Sequence, residues 1–172
     1  MSPTLRHRAL GLAIAAIVYG IDQWVKWHML WTLHLRERGV IDLLPFFDLR
    51  WTENYGVSLG MLTASSTEMR WLLVAMTAGI ALVVLVWMMR EKLMGDILAL
   101  SLVLGGALGN IHDRTTKGFV IDYADLHIGE FRPFLIFNIA DAAITIGVLI
   151  ILARSLLSRD KPKPAAETAP ES

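Results

Sequence analysis

The chain has 172 residues, 55% of them hydrophobic, with 16 basic and 16 acidic side chains and a formal net charge of zero. That length suits one domain, and a mean hydropathy of +0.51 is too apolar for a soluble domain of this size. The neutral balance excludes the basic footprint of a nucleic-acid binder, and the absence of cysteine excludes disulfides, thiolate metal sites and a cysteine nucleophile.

The first apolar segment, residues 9–30 (ALGLAIAAIVYGIDQWVKWHML), carries charge at Asp22 and Lys26. It exceeds the about 20 residues needed to cross a bilayer. Arg6 and Arg8 precede it as they would in a secretory signal. No small-residue cleavage site follows, however, and the segment reads as a retained span. In the loop 31–70, Leu49-Arg50-Trp51-Thr52 has strand character, and Asn54 with Gly56 offers a turn that would launch a short amphipathic helix. The second span, residues 71–89, is uncharged and bracketed by Arg70 and Arg90. The third, residues 97–113, contains Gly105 and Gly109 in GxxxG spacing, a signal of close helix packing in membranes. Its glycines lack the GK[ST] of a phosphate loop. The loop 114–137 holds the strand-like FVIDYADLHI, and residues 138–157 form the fourth span. Pieces of the two loops are expected to pair in a small sheet. The whole membrane domain is expected over residues 1–158, followed by a polar, disordered tail at 159–172.

Four spans put both termini on one side. The termini and the 90–96 link carry eight Lys and Arg, and the two longer opposite stretches, residues 31–70 and 115–137, carry six over nearly twice the length. The positive-inside rule therefore predicts cytoplasmic termini and outward-facing long loops. Six tryptophans suit the two membrane interfaces.

This orientation gathers polar residues at one depth. Asp22 and Lys26 lie near the outer end of the first span, Asn110, Asp113 and Arg114 at that of the third, and Asn138 and Asp141 at that of the fourth. Polar groups in spans face the bundle interior or a wet cavity, because facing lipid costs several kcal/mol. Each has a plainer reading too. Asn138 and Asp141 suit a helix cap and a first-turn acid, Asp22–Lys26 a surface ion pair, and Asp113–Arg114 a local pair at a helix end. Asp122 is harder to dismiss, since it interrupts the apolar run Phe119-Val120-Ile121.

Two neighbouring carboxyls share a proton and split their pKa values. The charged member can then activate water while the protonated one polarises a carbonyl and protonates the leaving amine. Such chemistry needs no metal or cofactor, and none is expected. The five histidines show no zinc spacing, and no G-x-S-x-G elbow is present.

Five blocks in order resemble the lipoprotein signal peptidases, also called prolipoprotein signal peptidase or signal peptidase II. They are DQWVK at 22–26, ENYGVSLGML at 53–62, GGALGNIHDR at 105–114, VIDY at 120–123 and FNIADAAI at 137–144. The resemblance implies an all-α membrane protein with four transmembrane helices, a small periplasmic β-cradle and a short interfacial helix. It implies an aspartic endopeptidase of the bacterial inner membrane that cuts prolipoproteins before a diacylglyceryl-modified cysteine. Asp122 and Asp141 would be the catalytic pair. Asp22, Lys26, Asn54, Gly56, Asn110, Asp113, Arg114, Asn138 and Ala140 would bind substrate or support the site. Two places depart from the family pattern: Val57-Ser58-Leu59 follows Gly56, and His112 stands where an apolar residue is usual.

A non-enzymatic carrier using intramembrane acids as a proton or ion relay is the rival reading. It requires polar residues to continue to the cytoplasmic side, where these spans are nearly all apolar. A scaffold held by the GxxxG would leave the polar cluster unexplained. Four helices suffice to enclose the site, so a monomer is expected, with membrane lipid and prolipoprotein substrates as its partners.

Overall fold

A computed structural model of the protein describes residues 3–56 and 67–158. In chain order the elements are α1 (Pro3–Trp31), α2 (Leu35–Arg38), β1 (Val40–Leu44), β2 (Phe47–Asn54), α3 (Thr67–Arg90), α4 (Met94–Thr116), β3 (Val120–Leu126) and α5 (Ile139–Ser158). Helices α1, α3, α4 and α5 are each long and apolar enough to cross a membrane. The strands form one antiparallel sheet in the order β1-β2-β3. Four membrane-length helices and a small sheet drawn from both loops are the expected architecture. The strand-like stretch 49–52 lies within the longer β2 and 119–128 contains the whole of β3, whereas β1 and α2 were not anticipated. The helix expected after Gly56 and the tail at 159–172 lie outside the described residues.

Helix α4 is the hub of the bundle, packing against α1, α3 and α5. Lipid tails are as apolar as the helices, so close packing rather than water exclusion must hold such helices together. The glycines of α4 allow that approach. A Cβ at Gly105 would stand 2.6 Å from the Ala15 carbonyl oxygen of α1, and one at Gly109 2.5 Å from Asp22 Oδ2. Gly106 turns the other way and receives the Ala140 carbonyl oxygen of α5. On the remaining side, Ala81, Val84 and Met88 of α3 join Ile97, Leu100 and Leu104 of α4 in a buried cluster. The outer faces of α3 and α5 expose Leu72, Met76, Ile80, Ile146 and Leu149, as lipid-facing surfaces should.

Exposed Trp24, Trp27, Trp31 and Trp71 ring the sheet end of the bundle, and Trp87 lies toward the other, matching the interfacial preference of indole. At that other end, Arg154 of α5 grips Asp96 of α4 at 2.6 Å.

The sheet is tied to the helices by a short strand-like return. Phe137 and Ala124 exchange backbone hydrogen bonds of 2.8 and 3.1 Å, and the Tyr123 amide also donates to the Phe137 carbonyl. This stitch carries the chain from β3 out to residue 136 and back against β3, immediately before α5 begins. A polar helix start is thereby pressed against the middle of the strand.

Candidate active site

Asp122 sits on β3 opposite Thr52 of β2. Every β3 residue from Val120 to Asp125 is buried, because the strand has β2 on one side and the Phe137 return on the other. Asp122 is only 2% exposed, and its oxygens are held by two amides. Asn54 Nδ2 donates to Oδ2 at 2.9 Å, and Asn138 Nδ2 donates to Oδ1 at 2.6 Å. Asn54 is fixed in turn, since its Oδ1 accepts the Gly56 amide at 2.8 Å. Gly56 has φ +88°, the left-handed region that glycine enters at no steric cost. Asn54 therefore shapes the turn and restrains the acid together.

Asp141 is half-buried in the first turn of α5. Its amide donates to Asn138 Oδ1 at 2.9 Å, and its Oδ2 accepts the Asn138 amide at 3.3 Å. This reciprocal pair has the form of a capping box. The other carboxylate oxygen, Oδ1, accepts from Asn110 Nδ2 at 2.8 Å. The capping reading of Asp141 is thus correct and incomplete, since one oxygen serves the helix and the other is held by α4. Asn110 Oδ1 also accepts from Asn138 Nδ2 at 3.3 Å, so the two asparagines link both acids in one network.

Burial and the nearby Asp141 carboxylate push Asp122 up to about 6, against the opposing pull of Asn54, Asn138 and Lys26. Two acids in such a setting favour a singly protonated state.

Behind the pair lies a fully buried charged cluster. Lys26 Nζ meets Asp22 Oδ2 at 2.9 Å and Asp113 Oδ2 at 2.7 Å, with the three side chains 0–1% exposed. Asp22–Lys26 is therefore not the surface pair that its i, i+4 spacing suggests: Gly109 lets α4 close over it. Nor does Asp113 pair with Arg114. Its partners are Lys26 and, at 2.6 Å, Lys117, because residues adjacent on a helix point about 100° apart. Lys117 was legible in principle, being four residues beyond Asp113. Arg114 is half-buried and lies within electrostatic reach of Asp141, Asp122 and Asp113. Ala140 is fully buried, its amide donating to Asp22 Oδ1 at 3.1 Å. Asp22, Lys26, Asp113, Asn138 and Ala140 are thus bonded together behind Asp122 and Asp141.

Two cavities of about 570 Å³ each meet the acids. One is lined by Asn54, Gly56, Asp122 and Arg132, the other by Asp141, Ala142, Thr145 and Ile146. Pro133, Phe134 and Leu135 line both. The second cavity is mostly apolar and runs onto the exposed face of α5.

Sequence reasoning missed Asp125. It is fully buried in β3 and paired with Arg50 at 2.9 Å and Arg132 at 3.1 Å, so it anchors the arginine that lines the first cavity. His112, the unusual residue of the third block, shares a 2.9 Å hydrogen bond with the Tyr19 hydroxyl, away from the acids. Among the described residues, no three His, Asp or Glu side chains form a cluster able to hold a metal.

Residues 14–157 match the family described as "Signal peptidase (SPase) II". The chain is 58% identical over 159 residues to a lipoprotein signal peptidase of Rhizorhabdus wittichii, covering 92% of each chain. It is 52% identical over 160 residues to that of Sphingopyxis alaskensis, covering 93% of this chain and 91% of the other. A solved bacterial membrane enzyme at 2.3 Å resolution is similar with a TM-score of 0.74 and 29% identity, over 92% of this chain and 95% of that one.

Proposed function

The chain belongs to the signal peptidase II family, and from that premise we propose that Asp122 and Asp141 are its catalytic pair. It is a multi-pass membrane aspartic peptidase that cleaves signal peptides from prolipoproteins. The observation that carries the assignment of the pair is Asn138, which hydrogen-bonds both carboxylates.

In the proposed mechanism Asp141 is the base. Its place in the first turn of α5 favours the anion through the helix dipole, and Asn110 orients the oxygen that the helix cap does not use. Asp122, pushed up to about 6, is the acid. It polarises the scissile carbonyl and passes its proton to the leaving amine while Asp141 takes one from the attacking water. Arg114 balances the negative charge that develops between them.

The cavities suit a two-part substrate. The peptide approaches along the β2 side, past Asn54, Gly56 and Arg132. The diacylglyceryl chains on the cysteine lie against Thr145 and Ile146, where the second cavity opens toward lipid. Acyl chains supply about 0.8 kcal/mol per buried methylene, enough to hold the substrate while its peptide bond reaches the acids. The membrane is the bacterial inner membrane, the sheet end is periplasmic and both termini are cytoplasmic, as the basic residues at the opposite end favour. The protein acts as a monomer whose membrane domain ends near residue 158. No observation favours the carrier reading. Among the described residues, Ser101 is the buried polar side chain toward the other end, and its hydroxyl is engaged by the Ile97 carbonyl at 2.6 Å.

The test is to reconstitute the protein in nanodiscs with a prolipoprotein peptide whose cysteine is diacylglycerylated, and with the same peptide unmodified. The reading predicts release of the signal peptide, with the modified cysteine as the new N-terminus, from the lipidated form. No cleavage, or equal cleavage of both peptides, contradicts it.

A further inference from the structure

Lys26 is buried in the bundle, 1% exposed, and lines neither of the two cavities that meet the acids. A lysine ammonium has three donors and no acceptor. Here it faces three oxygens: Asp113 Oδ2 at 2.7 Å, Asp22 Oδ2 at 2.9 Å and Asn110 Oδ1 at 3.5 Å. Each arm continues to the acids. Asp22 accepts the amide of Ala140, the residue before Asp141, at 3.1 Å. Asp113 accepts the amide of Ile121, the residue before Asp122, at 3.3 Å. Asn110 donates directly to Asp141 at 2.8 Å.

The pattern is paired. Each acid of the site is preceded by a residue whose backbone amide is held by a buried carboxylate, and one ammonium holds both carboxylates. Gln23 braces the same group from α1, donating to Asp22 at 3.1 Å and to Asp113 at 3.4 Å. Stability alone does not call for such a cluster, because apolar residues of similar size often replace buried ion pairs without loss. What apolar residues cannot supply is a directional acceptor for two particular amides. One of these amides starts a helix and the other lies in a strand, two elements also joined through the Phe137 return and Asn138.

We infer that Lys26, Asp22 and Asp113 form a positioning unit that sets the separation of Asp122 and Asp141 by fixing the backbones of Ile121 and Ala140. This rests on the proposed catalytic pair. The unit acts on the placement of the two backbones, and so it should govern kcat and leave KM alone. A misplacement of 1 Å can cost about 100-fold in rate.

The experiment measures kcat and KM on the lipidated peptide for Asp22→Ala, Asp113→Ala and Asp113→Asn, per folded molecule. Asparagine at 113 keeps an oxygen for the Ile121 amide and Lys26, and turns its NH₂ toward Lys117, which can swing into solvent, and toward Gln23, whose bond to this residue is the long one at 3.4 Å. The expected result is a fall in kcat of about 100-fold in both alanine variants with KM changed less than about twofold. Asp113→Asn recovers most of kcat. A rise in KM at constant kcat, unaltered kinetics in the alanine variants, or an Asp113→Asn protein as slow as Asp113→Ala overturns the inference. If an alanine variant does not fold, Asp113→Asn decides: near-normal kcat supports the unit and a 100-fold loss refutes it. Asp122→Asn and Asp141→Asn run alongside separate the two readings. If both are inactive while the alanine variants are normal, only the positioning unit fails; if either remains active, the catalytic pair itself is wrong.

Discussion

The side-chain amide of Asn138 donates to Asp122 Oδ1 at 2.6 Å, across the gap between a strand and the cap of the next helix. The same residue caps α5 and exchanges two hydrogen bonds with Asp141. Losing it should therefore damage stability and catalysis together. Asn138→Ala is expected to cost about 1 kcal/mol as a lost cap and to lower kcat by about 100-fold through misplacement of the acids. Thermal unfolding and turnover on the lipidated peptide check both. Asn138→Asp should preserve the cap but set a third carboxylate beside the pair, giving a stable and slow enzyme.

Activity should depend on the proton held by Asp122. Its carboxyl is pushed up to about 6 by burial and by Asp141, so kcat/KM should fall as pH rises through about 6 in the free enzyme. A profile flat from pH 5 to 8 would count against Asp122 as the acid.

The same shift has a consequence for stability. The folded-state value near 6 lies above the ordinary 3.8, so the folded protein binds this proton more tightly than the unfolded chain does. The associated stability is present below pH 4 and is lost as pH rises to about 6, by up to about 3 kcal/mol. Asp122→Asn lacks the titration. The stability of the natural protein minus that of Asp122→Asn should therefore shrink between pH 4 and 6, as chemical unfolding at each pH will show.

Lys26→Met removes the cation that holds two buried carboxylates. Breaking such a pair is expected to cost about 3–5 kcal/mol. Adding Asp22→Asn should recover part of that loss, since one unpaired charge is gone. Equal stabilities of the natural and Lys26→Met proteins would show that the cluster is open to water.

Gly109→Ala puts a methyl 2.5 Å from Asp22 Oδ2. Overpacking of this kind costs about 1–3 kcal/mol, and here it also pushes on the carboxylate that holds Ala140. Reduced kcat should accompany reduced stability.

The helices and the Asn138–Asp141 cap were legible because their signals are local: an apolar run of membrane length, and two residues three apart. The surface-pair reading of Lys26 fails for the same reason. Its spacing from Asp22 describes a helix surface, and nothing within α1 reports that Gly109, more than eighty residues later, lets another helix cover it. The partner of Asp113 was taken to be its neighbour in sequence, whereas the turn of the helix directs it to Lys26 and Lys117. Strand β1 carries few signals of its own and is defined by pairing across the Pro45-Phe46 turn. Asp125 escaped notice because β3 is buried along nearly its whole length, so no alternation of apolar and polar residues marks an inward acid.

The most direct test of the two-acid account is turnover of the lipidated prolipoprotein peptide by Asp122→Asn and Asp141→Asn, each shown to be folded. The account predicts that both fall to background while their thermal unfolding stays cooperative. Near-normal turnover by either one would contradict it.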